Sequence, residues 1–179
     1  MKKIIFIDCG DTLVDESTQV FDENEVVMDV EFCKDAKEVL ELLYEKGYKI
    51  VLVADGKEQS FKNIFNKIDF LDKFTGFVVS EKVGSLKPDK AMFQAAYECI
   101  PKEMRDKRNI IMVGNNLRRD IKGANNFGIT SVWMNWSSRY FHRFEEEDWK
   151  PDYEIHSAAE LVKLLEDINN EIYPAFRIF

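Results

Sequence analysis

Short apolar runs alternate with longer amphipathic ones along the chain. Ile4–Ile7 is apolar at every position, as a strand buried on both faces of a sheet requires. Residues 50–53, 77–79, 110–113 and 130–134 have the same character. Helical spacing marks the stretches between them. In residues 34–46, Ala36, Val39, Leu40, Leu43 and Tyr44 recur at that spacing, and Gly47 follows as a stop signal. Residues 88–100 and 117–127 also read as helices. A last helix opens on Ser157-Ala-Ala-Glu160, a capping-box pattern, and continues through Leu161, Leu164, Leu165 and Ile168.

Strand–helix alternation of this kind predicts an α/β fold: a doubly wound, mainly parallel sheet with helices on both faces. At 179 residues the chain is expected to form one domain, residues 1–179. A chain of this size buries roughly 70% of the surface that its unfolded form exposes. There is no internal repeat, low-complexity segment or domain linker. Hydrophobic residues at 45% and charged residues at 32% are an ordinary globular balance.

The formal net charge is −8. That argues against nucleic acid or an anionic membrane surface as the main partner, because both need a basic face. Seven of the acids fall in residues 15–31, a stretch without Lys or Arg. It reads as a solvated loop, or as one bordering a site and repelling polyanions. The three cysteines, Cys9, Cys33 and Cys99, form no C-x-x-C pair. With no signal-peptide pattern and no apolar stretch of membrane length, a reducing cytoplasm is the expected home.

In doubly wound sheets ligands bind beyond the carboxyl ends of the strands. The first strand ends on Asp8-Cys9-Gly10-Asp11-Thr12-Leu13, which is not a dinucleotide-binding glycine pattern. The second ends on Ala54-Asp55-Gly56. Lys87-Pro88-Asp89 precedes a helix; proline there holds Lys87 extended and sets its direction. Gly114-Asn115-Asn116 follows a later strand, with Asp120 about one helical turn on. Together these residues make sense as a phosphoryl-transfer site. A carboxylate can attack phosphorus. A hard cation must offset the repulsion between two anions, and Mg²⁺ takes oxygen ligands of the kind offered by Asp8, a carbonyl near Gly10, Asn115 and Asp120. A lysine balances the remaining charge.

The order of these motifs resembles the haloacid dehalogenase superfamily of phosphohydrolases, from Lys3 to about Ile168. The resemblance implies that Asp8 is the nucleophile, that Thr12 braces its loop and that Lys87 orients nucleophile and phosphate. It implies phosphate binding around Ala54, Asp55 and Gly56, and Mg²⁺ held by Asp8, Gly10, Asn115 and Asp120. Three positions depart from the family pattern. Gly10 stands where the family carries an Asp that protonates the leaving group and later activates water, help worth roughly 10²–10⁴-fold. Asp11 is one position on, but is expected to point differently. Ala54 replaces a hydroxyl that would hold a phosphate oxygen, a loss of about 1 kcal/mol; the N–H groups of Asp55 and Gly56 are expected to serve in part. Asn115 replaces an acid, which predicts weaker Mg²⁺ binding and more weight on Asp120.

The gaps from Asp8 to Ala54 and from Ala54 to Lys87 leave no room for the cap domain that shields most family sites, so an open site is expected. The function expected is a Mg²⁺-dependent phosphohydrolase of low activity working through phospho-Asp8 on a phosphorylated small molecule or phosphoprotein, favouring leaving groups that need no proton. The alternative is a degenerate relative that binds a phosphorylated ligand or a protein without turnover. Residues 133–149 hold Trp136, Tyr140, Phe141, Phe144 and Trp149 with Arg139 and Arg143; they read as a loop packed on the sheet edge, or as a contact surface. This segment, or the apolar tail 173–179, is where a homo-oligomer is expected to form. His142 and His156 read as surface histidines.

Overall fold

A parallel sheet needs a crossover after every strand, and the chain supplies one each time in a computed structural model that describes residues 2–139, 143 and 146–170. Strand β1 (Ile4–Ile7) is followed by a hairpin of β2 (Val20–Phe21) and β3 (Val27–Asp29), then by helix α1 (Ala36–Glu45) and β4 (Lys49–Ala54). Helix α2 (Glu58–Asn66), β5 (Gly76–Val79) and the short α3 (Ser80–Val83) come next, then α4 (Lys90–Cys99) and β6 (Ile110–Gly114). A π-helical turn (Leu117–Ile121) leads into α5 (Lys122–Phe127), and the chain continues through β7 (Thr130–Met134), β8 (Tyr153–Ile155) and α6 (Ala158–Asn169). The six-stranded sheet has the order β5-β4-β1-β6-β7-β8, and every pair is parallel. Among the described residues no helix is long and apolar enough to cross a membrane.

The all-apolar strands serve two cores at once. Successive side chains of a strand point to opposite faces. Ile5 and Ile7, with Ile50, Leu52, Ile111 and Val113, pack under α1, α2 and α6 through Leu40, Leu43, Phe65, Leu161 and Leu164. Ile4 and Phe6, with Val51, Val53 and Met112, pack under α4 and α5 through Met92, Phe93, Ala96, Ala124 and Phe127. Each large side chain buried this way contributes about 1.5–3 kcal/mol.

Three local expectations need correcting, and one strand was not expected. The helix expected at 88–100 starts at Lys90, because the Asp89 side chain accepts the Ala91 N–H at 2.8 Å and caps it. Pro88 therefore lies ahead of the cap, not in the first turn. The helix expected at 117–127 opens with the π-helical turn. The acidic stretch 15–31, read as a loop that is solvated or borders a site, contains the β2–β3 hairpin, which is bolted to α2 and does border the cleft. Val27 N–H donates to Ser60 Oγ at 2.9 Å, Asn63 Nδ2 donates to Val27 O at 2.9 Å, and Lys57 pairs with Glu25 at 3.7 Å. Strand β8 has no matching sequence signal, since Tyr-Glu-Ile is three residues with a charge in the middle.

Of the aromatic segment, Trp133 and Trp149 are core residues packed on Leu117 and Ile121. Tyr140, Phe141, His142, Phe144 and the tail 173–179 lie outside the described residues. His156 is exposed and sits 3.3 Å from Glu154 and 3.6 Å from Glu160.

Candidate active site

The strand order reverses between β1 and β6: from β1 the chain first builds outward through β4 and β5, then crosses to the other side. A crevice must open there, beyond the carboxyl ends. Asp8 is the first residue past β1, and its N–H donates to Val113 O of β6 at 2.9 Å. That bond continues the sheet by one residue and directs the carboxylate into the crevice. Thr12 Oγ1 donates to Asp8 Oδ2 at 3.4 Å, from a turn in which Thr12, Leu13 and Val14 N–H all converge on Cys9 O.

Lys87 reaches Asp8 from the other flank. Its backbone N–H donates to Asp55 Oδ1 at 3.0 Å, which anchors the residue beside β4. Its ammonium donates to Val53 O at 2.8 Å and to Asp8 Oδ1 at 2.6 Å, and pairs with Asp120 Oδ1 at 2.7 Å. Burial alone would push this ammonium down. The charges of Asp120, Asp8 and Asp55 overcome that and hold it well above the ordinary lysine range.

Asp120 is placed by the π-helical turn. Asn116 Oδ1 accepts the Arg118 and Arg119 N–H groups, and Asp120 Oδ2 accepts the Asn116 N–H at 3.0 Å, a reciprocal cap. Gly114 makes this possible: a Cβ on it would stand 2.3 Å from Asp120 Cγ. The glycine serves the close approach of a carboxylate. Asp120 is pushed up to about 7, first by burial and then by the charge of Asp8, with Lys87 opposing. Asp55 is also raised by burial, with Lys87 opposing.

Asp8, Lys87, Asn115 and Asp120 thus come together, all buried. With Gly10, Asp55 and Gly56 they line a cleft of about 310 Å³. Its outer wall is Phe21, Glu25 and Val27 of the hairpin facing Phe61 and Ile64 of α2, with Lys57 and Arg119 also lining it. Ala54 is a buried core residue outside that lining. Gly56 is a partial correction. Its N–H, expected to be offered to phosphate, donates to Ser80 Oγ at 2.8 Å.

Asp11 does turn away, as its position suggested. It is fully buried, and Arg139 grips it with Nε at 2.6 Å and Nη2 at 2.8 Å. Trp136 Nε1 donates to Asp11 O at 2.7 Å. The residue that sequence reasoning missed is Glu16, which lines the cleft with Asp8. Only its place in an acidic stretch hinted at it.

Hard oxygen donors for a cation come from Asp8, Asp120, the Gly10 main chain and Asn115. Among the described residues no three Asp, Glu, His or Cys side chains cluster as metal ligands. Two observations nevertheless fit Mg²⁺. Asp120 is an acid raised first by burial and then by the charge of Asp8, and a divalent cation would relieve both. Asn115 Nδ2 is buried without a hydrogen-bond partner. Exchanging that amide's oxygen and nitrogen puts an acceptor there, for which a cation is the natural partner.

The chain has relatives in sequence and in fold. The model of the haloacid dehalogenase-like hydrolase family matches residues 7–134. A glyceraldehyde 3-phosphate phosphatase of Pyrococcus abyssi is 29% identical over 143 residues, 78% of this chain and 58% of that one. The pyrimidine 5'-nucleotidase YjjG of Escherichia coli is 31% identical over 117 residues, 65% of this chain and 49% of that one. The chain thus spans about half the length of the curated relatives it matches. Among solved structures, the magnesium-bound HAD-hydrolase YfnB of Bacillus subtilis superposes with a TM-score of 0.66 at 24% identity, over 75% of this chain and 56% of that one. The family match covers well over half of the sequence, including the end of β1 that carries Asp8 and the π-helical turn that carries Asp120, and on that ground the chain belongs to the haloacid dehalogenase-like hydrolases.

Proposed function

We propose that this chain is a phosphohydrolase whose nucleophile is Asp8. The observation that carries the reading is the contact of the Asp8 carboxylate with the Lys87 ammonium at 2.6 Å, at the mouth of a sheet crevice. The Val53 and Asp120 contacts fix the ammonium. It can therefore hold one Asp8 oxygen in place and leave the other to attack phosphorus. The attack gives a phospho-aspartate and expels the alcohol; water then cleaves it. Lys87 also offsets the charge of the incoming phosphate.

Asp8, Asp120, Asn115 and the Gly10 carbonyl would hold Mg²⁺, which would supply charge stabilisation to the phosphoryl oxygens. With only two of these donors charged, affinity is expected to be modest. Magnesium is bound in the structure of YfnB.

The substrate class proposed is a small phosphate monoester. The cleft of about 310 Å³ suits a small ligand, and its wall is a hairpin fixed to α2, with that hairpin, α1, α2, α3, the sheet strands β4 and β5 and short turns between the motifs. No cap domain shields it on this reading. The acids of the hairpin disfavour polyanions. Gly10 alone would restrict the enzyme to leaving groups that need no proton, unless another carboxyl serves the leaving oxygen.

The test is hydrolysis of p-nitrophenyl phosphate with Mg²⁺, set beside mass spectrometry of the chain after incubation with acetyl phosphate. Turnover and a phosphoryl adduct, both lost in Asp8→Asn, are expected. Turnover that survives Asp8→Asn sinks the nucleophile. With neither turnover nor adduct, the chain is a binding module.

A further inference from the structure

The structure shows a carboxylate in the space that the missing side chain of residue 10 would fill. A Cβ built on Gly10 would stand 1.9 Å from Glu16 Oε1, 2.6 Å from its Cδ and 3.0 Å from its Cγ. Glu16 thus enters the volume beside Gly10 from a different part of the loop, and it lines the cleft with Asp8, Lys87 and Asp120.

Its placement is built, not incidental. Glu16 opens a 3₁₀ turn, Glu16–Thr18. The Glu16 N–H donates to Asp11 Oδ1 at 3.0 Å, and Ser17 N–H donates to Asp15 Oδ1 at 2.9 Å. Arg139 binds both of those carboxylates, Asp11 at 2.6 Å and Asp15 at 2.9 Å. The two acids flanking Glu16 are therefore held by one guanidinium, which fixes the turn that brings Glu16 to the cleft lining. The buried Asp11, too far committed to Arg139 to move a proton, works as the peg that sets the Glu16 backbone.

We infer that Glu16 is the general acid and base of this site, taking the place that Gly10 leaves vacant. The inference rests on Asp8 being the nucleophile. In the first step an Asp8 oxygen bonds to phosphorus and the bond from phosphorus to the ester oxygen breaks. The departing oxygen takes the electron pair of that bond and the proton of the Glu16 carboxyl, leaving as the alcohol. In the second step water attacks the phospho-aspartate and gives its proton to the Glu16 carboxylate. The bond from phosphorus to Asp8 breaks, phosphate leaves, and Glu16 is protonated again. Such a carboxyl extends the substrate range to alkyl phosphates, whose alkoxides leave poorly without a proton.

The experiment uses the full chain with Mg²⁺, ethyl phosphate and p-nitrophenyl phosphate. Glu16→Gln is expected to lower kcat/KM for ethyl phosphate about 100-fold or more, and for p-nitrophenyl phosphate by far less. The phosphoryl adduct on Asp8 is expected to accumulate in that variant, seen by mass spectrometry, because water is no longer activated. Glu16→Ala empties the space beside Gly10. Gly10→Asp with Glu16→Ala is then expected to regain ethyl phosphate hydrolysis over Glu16→Ala alone, which a merely structural role for Glu16 does not predict. An unchanged ratio between the two substrates in Glu16→Gln overturns the inference, and so does a double variant no better than Glu16→Ala. Those results leave Asp8 as nucleophile untouched. Turnover retained in Asp8→Asn, or a wild-type chain inert toward both esters, overturns the underlying reading along with this one.

Discussion

Lys87 and Asp8 face each other across the end of the sheet, Nζ to Oδ1 at 2.6 Å, with side chains only 2% and 11% exposed. The pair is not symmetric in what its loss costs. Lys87 also neutralises Asp120, which is buried. Lys87→Met therefore leaves two buried carboxylates facing each other, and about 3 kcal/mol of stability should go with it. Asp8→Asn leaves Lys87 paired with Asp120 and should cost about 1 kcal/mol or less. Urea denaturation of both variants checks the order; equal losses would contradict it.

Arg139 is a second clamp, far from the chemistry in sequence. It is the charged partner of the fully buried Asp11. Among the described residues, Arg139→Ala leaves that carboxylate with the Ser137 hydroxyl at 3.2 Å and the Glu16 N–H as donors. A loss of about 2 kcal/mol is expected, because hydrogen bonds to charged groups are worth more than neutral ones. Asp11→Asn should be milder, since it removes the buried charge as well. A thermal melt of Arg139→Ala that matches the wild type would show that the clamp carries no weight.

Gly123 tests the packing behind Lys87. Alanine is the better helix former by about 1 kcal/mol. Here a Cβ would meet Phe93 Cε2 at 2.2 Å and the Pro88 Cα at 3.3 Å. The Phe93 ring is fully buried and has little room to yield. Gly123→Ala should therefore destabilise by about 1–3 kcal/mol, against its helix propensity. Stabilisation on denaturant titration would mean that the ring can move aside.

The reach of the sequence has a physical boundary that these residues mark. Asp8, Lys87, Asn115 and Asp120 were legible because each follows, or precedes, a regular element whose apolar pattern fixes its direction. The parallel order of strands then brings them together. Glu16, Asp11 and Arg139 sit in turns with no periodicity, so nothing local says where their side chains go. The Gly10–Glu16 relation puts one residue's side chain into the space another residue lacks, and the Ser80 bond to Gly56 joins two crossovers. Both are tertiary facts. The hairpin escaped notice because its strands are two and three residues long.

Cys33 is half-buried, and its thiol is pushed up to about 12, first by burial and then by the charges of Asp11 and Asp15. A raised thiol pKa keeps the reactive thiolate scarce until the pH nears that value. At pH 8 only a very small fraction of Cys33 is ionised. Iodoacetamide should label it far more slowly than free cysteine, and labelling should climb steeply toward alkaline pH. Labelling at the rate of free cysteine would contradict the buried acidic surroundings.

Asn115 offers the sharpest test of the metal assignment. It is buried, lines the cleft with Asp8 and Asp120, and has an amide nitrogen without a partner. Asn115→Asp adds a third carboxylate beside Asp8 and Asp120 at almost no change of shape. Without metal, that charge adds repulsion from Asp8 and Asp120 while Lys87 is already shared between those two, so the variant should be less stable than the wild type. With Mg²⁺ the sign reverses. Two unit charges about 4 Å apart interact by about 4 kcal/mol at an effective dielectric constant of 20, and the cation is doubly charged. Desolvation removes much of this, yet Mg²⁺ affinity should rise by about tenfold or more. Calorimetric titration reads the affinity, and thermal melts with and without Mg²⁺ read the reversal. Unchanged or weaker binding would place Asn115 away from the metal side of the cleft. Its buried amide would then serve the turn before Asn116, and Asp8 and Asp120 alone would carry the charge that holds the cation.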